Sequence, residues 1–344
     1  MSKKIKVLVT GGAGYIGSHT VVELYNNGYE VIIVDNLSNS DISAIHGIEK
    51  ITGISPNFVN LDLKNKELTK DFFNKNADID AVIHFAAYKA VGESVEKPLK
   101  YYENNLNSLI NVLQGMKENN IENIVFSSSC TVYGQPDKLP VTEKAPIKKA
   151  NSPYGNTKQI AEEILEEFID SGAKIKAIAL RYFNPIGAHK SALIGELPIG
   201  VPNNLVPFIT QTAAGLRNKL SVFGSDYNTT DGSAIRDYIH VVDLAKAHIV
   251  SVDRMFNNKN KTAFEMFNIG TGIGLSVLEI IKSFEKATEI KLNYQIVDRR
   301  AGDIEKVWAD TSFANTELDW KAETDIETSL LSAWNWEKHI RNIK

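Results

Sequence analysis

The sequence predicts an α/β fold: a doubly wound, parallel sheet with helices on both faces, joined to a smaller mixed α/β lobe. Two observations predict it. Short apolar or β-branched runs alternate with helical patterns from Ile5 to about Leu180, an alternation that imposes right-handed crossovers and a sheet buried on both faces. The first run, Ile5-Lys-Val-Leu-Val-Thr10, also breaks off into Gly11, Gly12, Gly14 and Gly17, as a buried strand does when it turns sharply into a helix.

Taken in order, Gly12-x-Gly14-x-x-Gly17 fits the dinucleotide fingerprint of a Rossmann-type fold. One glycine makes the tight turn, one admits a pyrophosphate to the backbone, and one lets helix and strand pack closely. The helix that follows shows Val21, Leu24 and Tyr25 at a 3.6 period and ends at Gly28. A second strand, residues 30–34, delivers Asp35 eighteen residues beyond Gly17, where a carboxylate accepts from both hydroxyls of an adenosine ribose. Asn36 rather than Arg beside it favours NAD over NADP, because a 2′-phosphate would be repelled by Asp35.

Further strands are expected at residues 57–61, 81–85, 124–127 and 175–180, with helices near 42–52, 67–73, 99–116 and 157–169. After Arg181 the texture changes. Pro185, Gly187, Gly195, Pro198, Gly200, Pro202 and Pro207 cluster as in a long irregular loop, and loops that long are usually functional. A helix at 277–288, a strand at 291–297 and an aromatic end with Trp320, Trp334 and Trp336 complete the second lobe. The expected division is 1–183 for an NAD-binding domain and 184–344 for a substrate lobe, with segments interleaved into the first.

Composition narrows the classes. A chain of 344 residues, 43% hydrophobic and 23% charged, is ordinary for a globular protein, and a net charge of -4 provides no basic field for nucleic acid. No apolar stretch approaches the roughly 20 residues that span a bilayer, and Met1-Ser-Lys-Lys runs directly into a core strand. Neither nucleic acid nor membrane is expected as a partner, and the cytoplasm is the expected location. Cys130 is the sole cysteine and no His pair has zinc spacing on a helix, so neither an internal disulfide nor a metal is expected.

The chemistry concentrates at Tyr154-x-x-x-Lys158. Pro153 opens a helix after Ser152, so the phenol and the ammonium lie one turn apart on one face. A tyrosine hydroxyl titrates near about 10 alone, and a cation within about 6 Å favours the phenolate. Lys158 thereby equips Tyr154 as an acid/base. Ser127-Ser128-Ser129 ends an apolar strand, and ligands of open parallel sheets bind at such carboxyl ends. A hydroxyl there, Ser129 above all, exchanges a proton with a substrate oxygen.

With Thr10-Gly-Gly-Ala-Gly-Tyr-Ile-Gly17, Ser127-Ser-Ser-Cys-Thr-Val-Tyr-Gly134 and Ser152-Pro-Tyr-Gly-Asn-Thr-Lys158, the chain resembles the extended short-chain dehydrogenase/reductase superfamily. It is more closely similar to the UDP-glucose 4-epimerase family. The segments beginning at Phe85, Arg181, Pro202, Arg236 and Arg299 carry that likeness along the whole chain. What the resemblance implies is a tightly held NAD at Gly11, Gly14, Tyr15, Ile16, Gly17, Asp35, Asn36, Leu37, Ser38, Asn39, Ser40, Asp62, Leu63, Phe85, Ala86, Ala87, Lys89, Asn104, Tyr154, Lys158 and Phe183. It likewise implies a UDP-sugar site at Ser129, Asn184, Asn204, Leu205, Ser221, Phe223, Arg236, Tyr238, Arg300, Asp303 and Val307, and a homodimer formed by the helices near 99–116 and 157–169. On the residues alone, Asp62 is equally a helix cap and Lys89 a solvated lysine.

The reaction so implied is removal of a hydride from sugar C4, rotation of the 4-keto sugar, and return of the hydride to its other face. Related 4,6-dehydratases and decarboxylases also begin by oxidising C4. The dehydratases place adjacent Asp and Glu where this chain has Cys130 and Thr131, which disfavours elimination. A non-catalytic NAD sensor on the same fold would tend to lack the Tyr-Lys pair. Two positions depart from the family pattern. Ala301 replaces a common Pro. Val307 stands where some members carry a large aromatic, so the expectation is that N-acetylated UDP-hexoses are accepted as well.

Overall fold

The computed structural model describes residues 4–299 and 304–343. The first part runs β1 (Lys6–Thr10), α1 (Tyr15–Asn26), β2 (Glu30–Asp35), α2 (Ser43–Thr52), β3 (Asn57–Asn60), α3 (Lys66–Lys75) and β4 (Ala81–His84). It continues through α4 (Val91–Glu96), α5 (Pro98–Glu118), β5 (Asn123–Ser129), a 3-10 turn (Cys130–Tyr133), α6 (Pro153–Asp170) and β6 (Lys176–Tyr182). Then come β7 (Asn184–Ile186), α7 (Leu205–Ala213), β8 (Leu220–Phe223), β9 (Ile235–His240), α8 (Val241–Phe256) and β10 (Phe264–Ile269). The chain closes with β11 (Gly274–Ser276), α9 (Val277–Thr288), β12 (Tyr294–Val297), β13 (Lys306–Val307), α10 (Ser312–Glu317) and α11 (Ile326–Arg341).

Seven parallel strands form the main sheet in the order β10-β6-β5-β4-β1-β2-β3. Their side chains alternate between two cores. Val7, Val9, Val31, Ile33, Ala81, Ile83 and Val125 join one, and Leu8, Ile32, Val34, Val82, Ile124 and Phe126 join the other. A continuous apolar run is what a strand needs when both of its faces are covered. Helices α1, α2 and α8 cover the first face, and α3, α5 and α6 cover the second.

The second lobe has its own core of Ile186, Val206, Ile209, Val222, Ile280, Phe284 and Trp334. Its four-stranded sheet runs β11-β9-β13 with β7 also paired to β9, and β12 pairs with β8.

Three elements differ from the sequence reading. The strand expected to stop at Leu180 continues to Tyr182, because Ser129 still pairs with Tyr182 across the sheet. The loop expected after Arg181 first makes β7, whose Asn184 pairs with Tyr238. Trp320 packs into the first core rather than the second lobe, donating its indole N–H to the Asp243 carbonyl at 3.2 Å. Among the described residues, no helix is long and apolar enough to cross a membrane.

Candidate active site

Strand order reverses at β1, with β2 on one side and β4 on the other; ligands of open α/β sheets bind at the carboxyl ends beside such a reversal. Gly11 makes the turn there, at φ +70°, and an added Cβ would lie 2.8 Å from the Ala86 nitrogen. A Cβ on Gly17 would lie 2.3 Å from the Gly11 carbonyl oxygen, so helix and loop touch through bare backbone. At Gly14 a Cβ would meet only that carbonyl, at 3.1 Å, leaving its other side open. Gly14 also caps α1, which has no side-chain cap and no acid in its first turn. Free N–H groups and the positive end of the helix dipole remain for an anion. The cradle fits the pyrophosphate of NAD.

Asp35 is nearly buried and accepts from Ala13 N–H at 3.1 Å, Leu37 N–H at 2.9 Å and Ser40 Oγ–H at 2.8 Å. It thus ties the turn carrying Asn36, Leu37, Ser38 and Asn39 to the glycine loop. A carboxylate has about four acceptor sites, and these three bonds leave one for a ribose hydroxyl. Asp62 does not cap α3; Asn65 does, accepting from Leu68 N–H. Asp62 instead accepts from Lys64 N–H at 2.9 Å, and neighbouring Leu63 is buried in the second core. Phe85 lies against the buried His248 ring, 4.7 Å between centroids. Asn104 donates to Asn105, which in turn fastens the Tyr88 backbone to Thr157 of α6.

Ser129, Tyr154 and Lys158 come together at the carboxyl end of β5. Proline at the helix start and the Ser152 cap, which accepts from Gly155 N–H at 3.2 Å, open α6 so that Tyr154 falls in its first turn. Ser129 lies beside the Tyr154 hydroxyl. Burial pushes the phenol up to about 12, with Ser129 opposing it. The lysine expected one turn from the phenol lies at that range rather than in direct contact. Lys158 is buried, its Nζ is 6.0 Å from the Tyr154 ring centroid, and it donates to the Ser127 carbonyl. A side chain leaving the helix one turn later finds that carbonyl first. Desolvation brings Lys158 down to about 7, with the Glu162 carboxylate opposing.

The residues expected to bind substrate are spread over several elements. Arg236 lies on β9 beside Val307 of β13, and donates to the Ile235 carbonyl at 2.8 Å. Tyr238 is buried, Phe223 is exposed on β8 next to Val222, and Ser221 is half-buried. Val307 is itself buried, packed with Val132, Tyr133, Val141, Phe183 and Ala309. Arg300 and Asp303 lie outside the described residues. Lys89 and Asn204 are held by one acid: Glu196 pairs with Lys89 at 2.9 Å and accepts from Asn204 Nδ2 at 2.6 Å. Leu205 opens α7 directly after Asn204. Tyr15 bridges the lobes, donating to the Gly187 carbonyl at 2.7 Å.

Sequence reasoning missed Glu162, Arg181, Asn105 and Glu196 as parts of this site. Glu162 lies four residues after Lys158, a helical spacing legible in advance. Glu196 carried no signal, because it lies in an irregular loop with no periodicity and its partner Lys89 is distant along the chain. Among the described residues, no group of three or more His, Cys, Asp or Glu is placed to hold a metal ion.

A glycine cradle for a dinucleotide and a Ser-Tyr-Lys cluster on one sheet edge define an NAD-dependent α/β enzyme acting on a hydroxyl-bearing substrate. Residues 7–270 match the model of the NAD dependent epimerase/dehydratase family, and the chain belongs to that family. It is 49% identical to a UDP-glucose 4-epimerase of Drosophila melanogaster, over 98% of this chain and 97% of that one. A Bacillus subtilis UDP-glucose 4-epimerase is 48% identical over 96% of each. Among solved structures, the Bifidobacterium longum UDP-glucose 4-epimerase in complex with NAD+ and UDP superposes with a TM-score of 0.94 at 47% identity, covering 98% of this chain and all of that one.

Proposed function

We propose that this protein is a UDP-glucose 4-epimerase, an isomerase interconverting UDP-glucose and UDP-galactose without net redox change. The observation that carries the reading is the convergence of Ser129, Tyr154 and buried Lys158 where β5 ends against α6, with Cys130 and Thr131 where elimination needs carboxylic acids. Bound NAD supplies a reversible hydride acceptor and a positive ring. Tyr154 takes the proton from the sugar 4-hydroxyl and later returns it, with Ser129 bridging the two oxygens. Lys158, as a nearby cation, offsets the burial that holds the phenol neutral. Residues 1–183 hold the dinucleotide, while Arg236 and Arg300 of residues 184–344 clamp the diphosphate as planar forks. The Asn184, Asn204, Leu205, Ser221, Phe223, Tyr238 and Asp303 set completes the uridine end.

The test is incubation with UDP-galactose and separation of the products. UDP-glucose should accumulate to equilibrium with no stoichiometric NADH; a 4-keto-6-deoxy sugar would refute the reading.

We propose further that the protein works as a cytoplasmic homodimer. Leu99 and Ile110 of α5 are exposed, and Leu106 between them is half-buried. On neighbouring α6, half-buried Ile160, Ile164 and Phe168 recur every fourth residue. Two adjoining apolar helix faces suit an isologous contact. Sedimentation at micromolar concentration should give twice the chain mass of 38.1 kDa; a species of single-chain mass would contradict it.

A further inference from the structure

We propose that Glu162 is a positioning residue of the epimerase reaction: locked by Arg181 and Ser128, it braces the strand end 127–129 against α6 and keeps Lys158 an ammonium. This rests on the proposed epimerase reading. Glu162 and Arg181 are both almost fully buried and form a two-pronged pair, Arg181 Nε–H to Oε1 at 2.9 Å and Nη2–H to Oε2 at 2.5 Å. Ser128 Oγ–H donates to the same carboxylate. Three consecutive residues of β5 meet α6. Lys158 holds the Ser127 carbonyl and Glu162 holds Ser128, while Tyr154 lies beside Ser129. Arg181 pairs with Ser128 across the sheet and also donates to the Tyr133 hydroxyl at 3.0 Å, fixing the turn after Ser129.

The electrostatic consequence follows from what surrounds Lys158. On α6 it faces Tyr154 and Glu162; on β5 the Phe126 ring, 4.8 Å from Nζ, and the Ser127 carbonyl; on β4, His84; on β6, Arg181 and Tyr182 behind Ser127. His84 is buried and held neutral, its imidazole brought down to about 3 by burial. Tyr182 is raised by burial and stays neutral too. Glu162 is therefore the anion that favours the charged lysine, against desolvation and the more distant guanidinium. Removing its charge lowers the pKa of Lys158, so the cation is lost at lower pH.

The experiment is kcat against pH for UDP-galactose epimerisation by the NAD-loaded enzyme, in the native protein, Glu162→Gln and Glu162→Gln/Arg181→Gln. The double variant keeps a hydrogen-bonding amide pair and leaves no unpaired buried guanidinium. The alkaline limb of kcat should move down in each folded variant, by roughly one pH unit or more in Glu162→Gln and by less in the double variant, where the opposing guanidinium is lost as well, with KM little changed and Tm recorded alongside. A purely structural role would lower activity equally at every pH, so a limb at its native position overturns the proposal, as does failure of both variants to fold. If the native protein does not epimerise at all, the functional reading fails rather than this one.

Discussion

Tyr154 illustrates how far one residue's environment departs from its helix spacing. Its neighbour one turn on, Lys158, was legible as a partner, yet the ammonium reaches the Ser127 carbonyl instead of the phenol. The phenol is left with Ser129 and a burial penalty that raises it to about 12. Tyr154→Phe removes the proton carrier while preserving the apolar ring. The variant should retain its fold and bound NAD, read from circular dichroism and cofactor absorbance, while kcat falls by about 10²- to 10⁴-fold. Unchanged turnover would remove Tyr154 from the proton path. Asp35 and Ser129 were readable because each closes an apolar strand. Glu196 and Asn105 were not, because a buried polar group reveals its role only through partners brought in from remote segments.

At the scale of elements, strands with continuous apolar runs were the most legible, since burial on two faces leaves a strong mark. Helix α8 and strand β10 were harder to assign. They lie beyond the irregular loop, yet α8 packs against α1 and β10 pairs with β6, so chain order gives no hint that they return to the first sheet. Strand β13 is only two residues long and is held by β9, too short to announce itself. Its Val307 is the residue that the family resemblance assigns to the wall of the sugar pocket. On that reading a residue smaller than an aromatic at this position lets UDP-N-acetylglucosamine be epimerised alongside UDP-glucose. Because Val307 is buried among Val132, Tyr133 and Phe183, Val307→Tyr should also cost about 1–3 kcal/mol by overpacking. The check is kcat/KM for both substrate pairs in native and folded variant protein, with Tm measured in parallel. Equal use of the acetylated pair by the Tyr variant would exonerate Val307 as selector.

Across the whole molecule, the two lobes divide the labour. The large sheet presents a glycine cradle after β1 and the Ser129, Tyr154 and Lys158 cluster at the carboxyl end of β5, and on the proposed reading the second lobe supplies the arginine and asparagine side chains for the UDP-sugar. Tyr15 and Glu196 join the halves, from the glycine loop to Gly187 and from Lys89 to Asn204. This architecture was legible from the glycine loop, the Tyr-Lys spacing and the strand-helix alternation; the ties between the lobes were not. On the proposed epimerase reading, the site returns to C4 the same hydride it removes. The most direct measurement is epimerisation of UDP-galactose deuterated at C4, followed by mass and NMR analysis of the UDP-glucose formed. Full retention of deuterium at C4 is the predicted result; loss of the label to solvent hydrogen would contradict it.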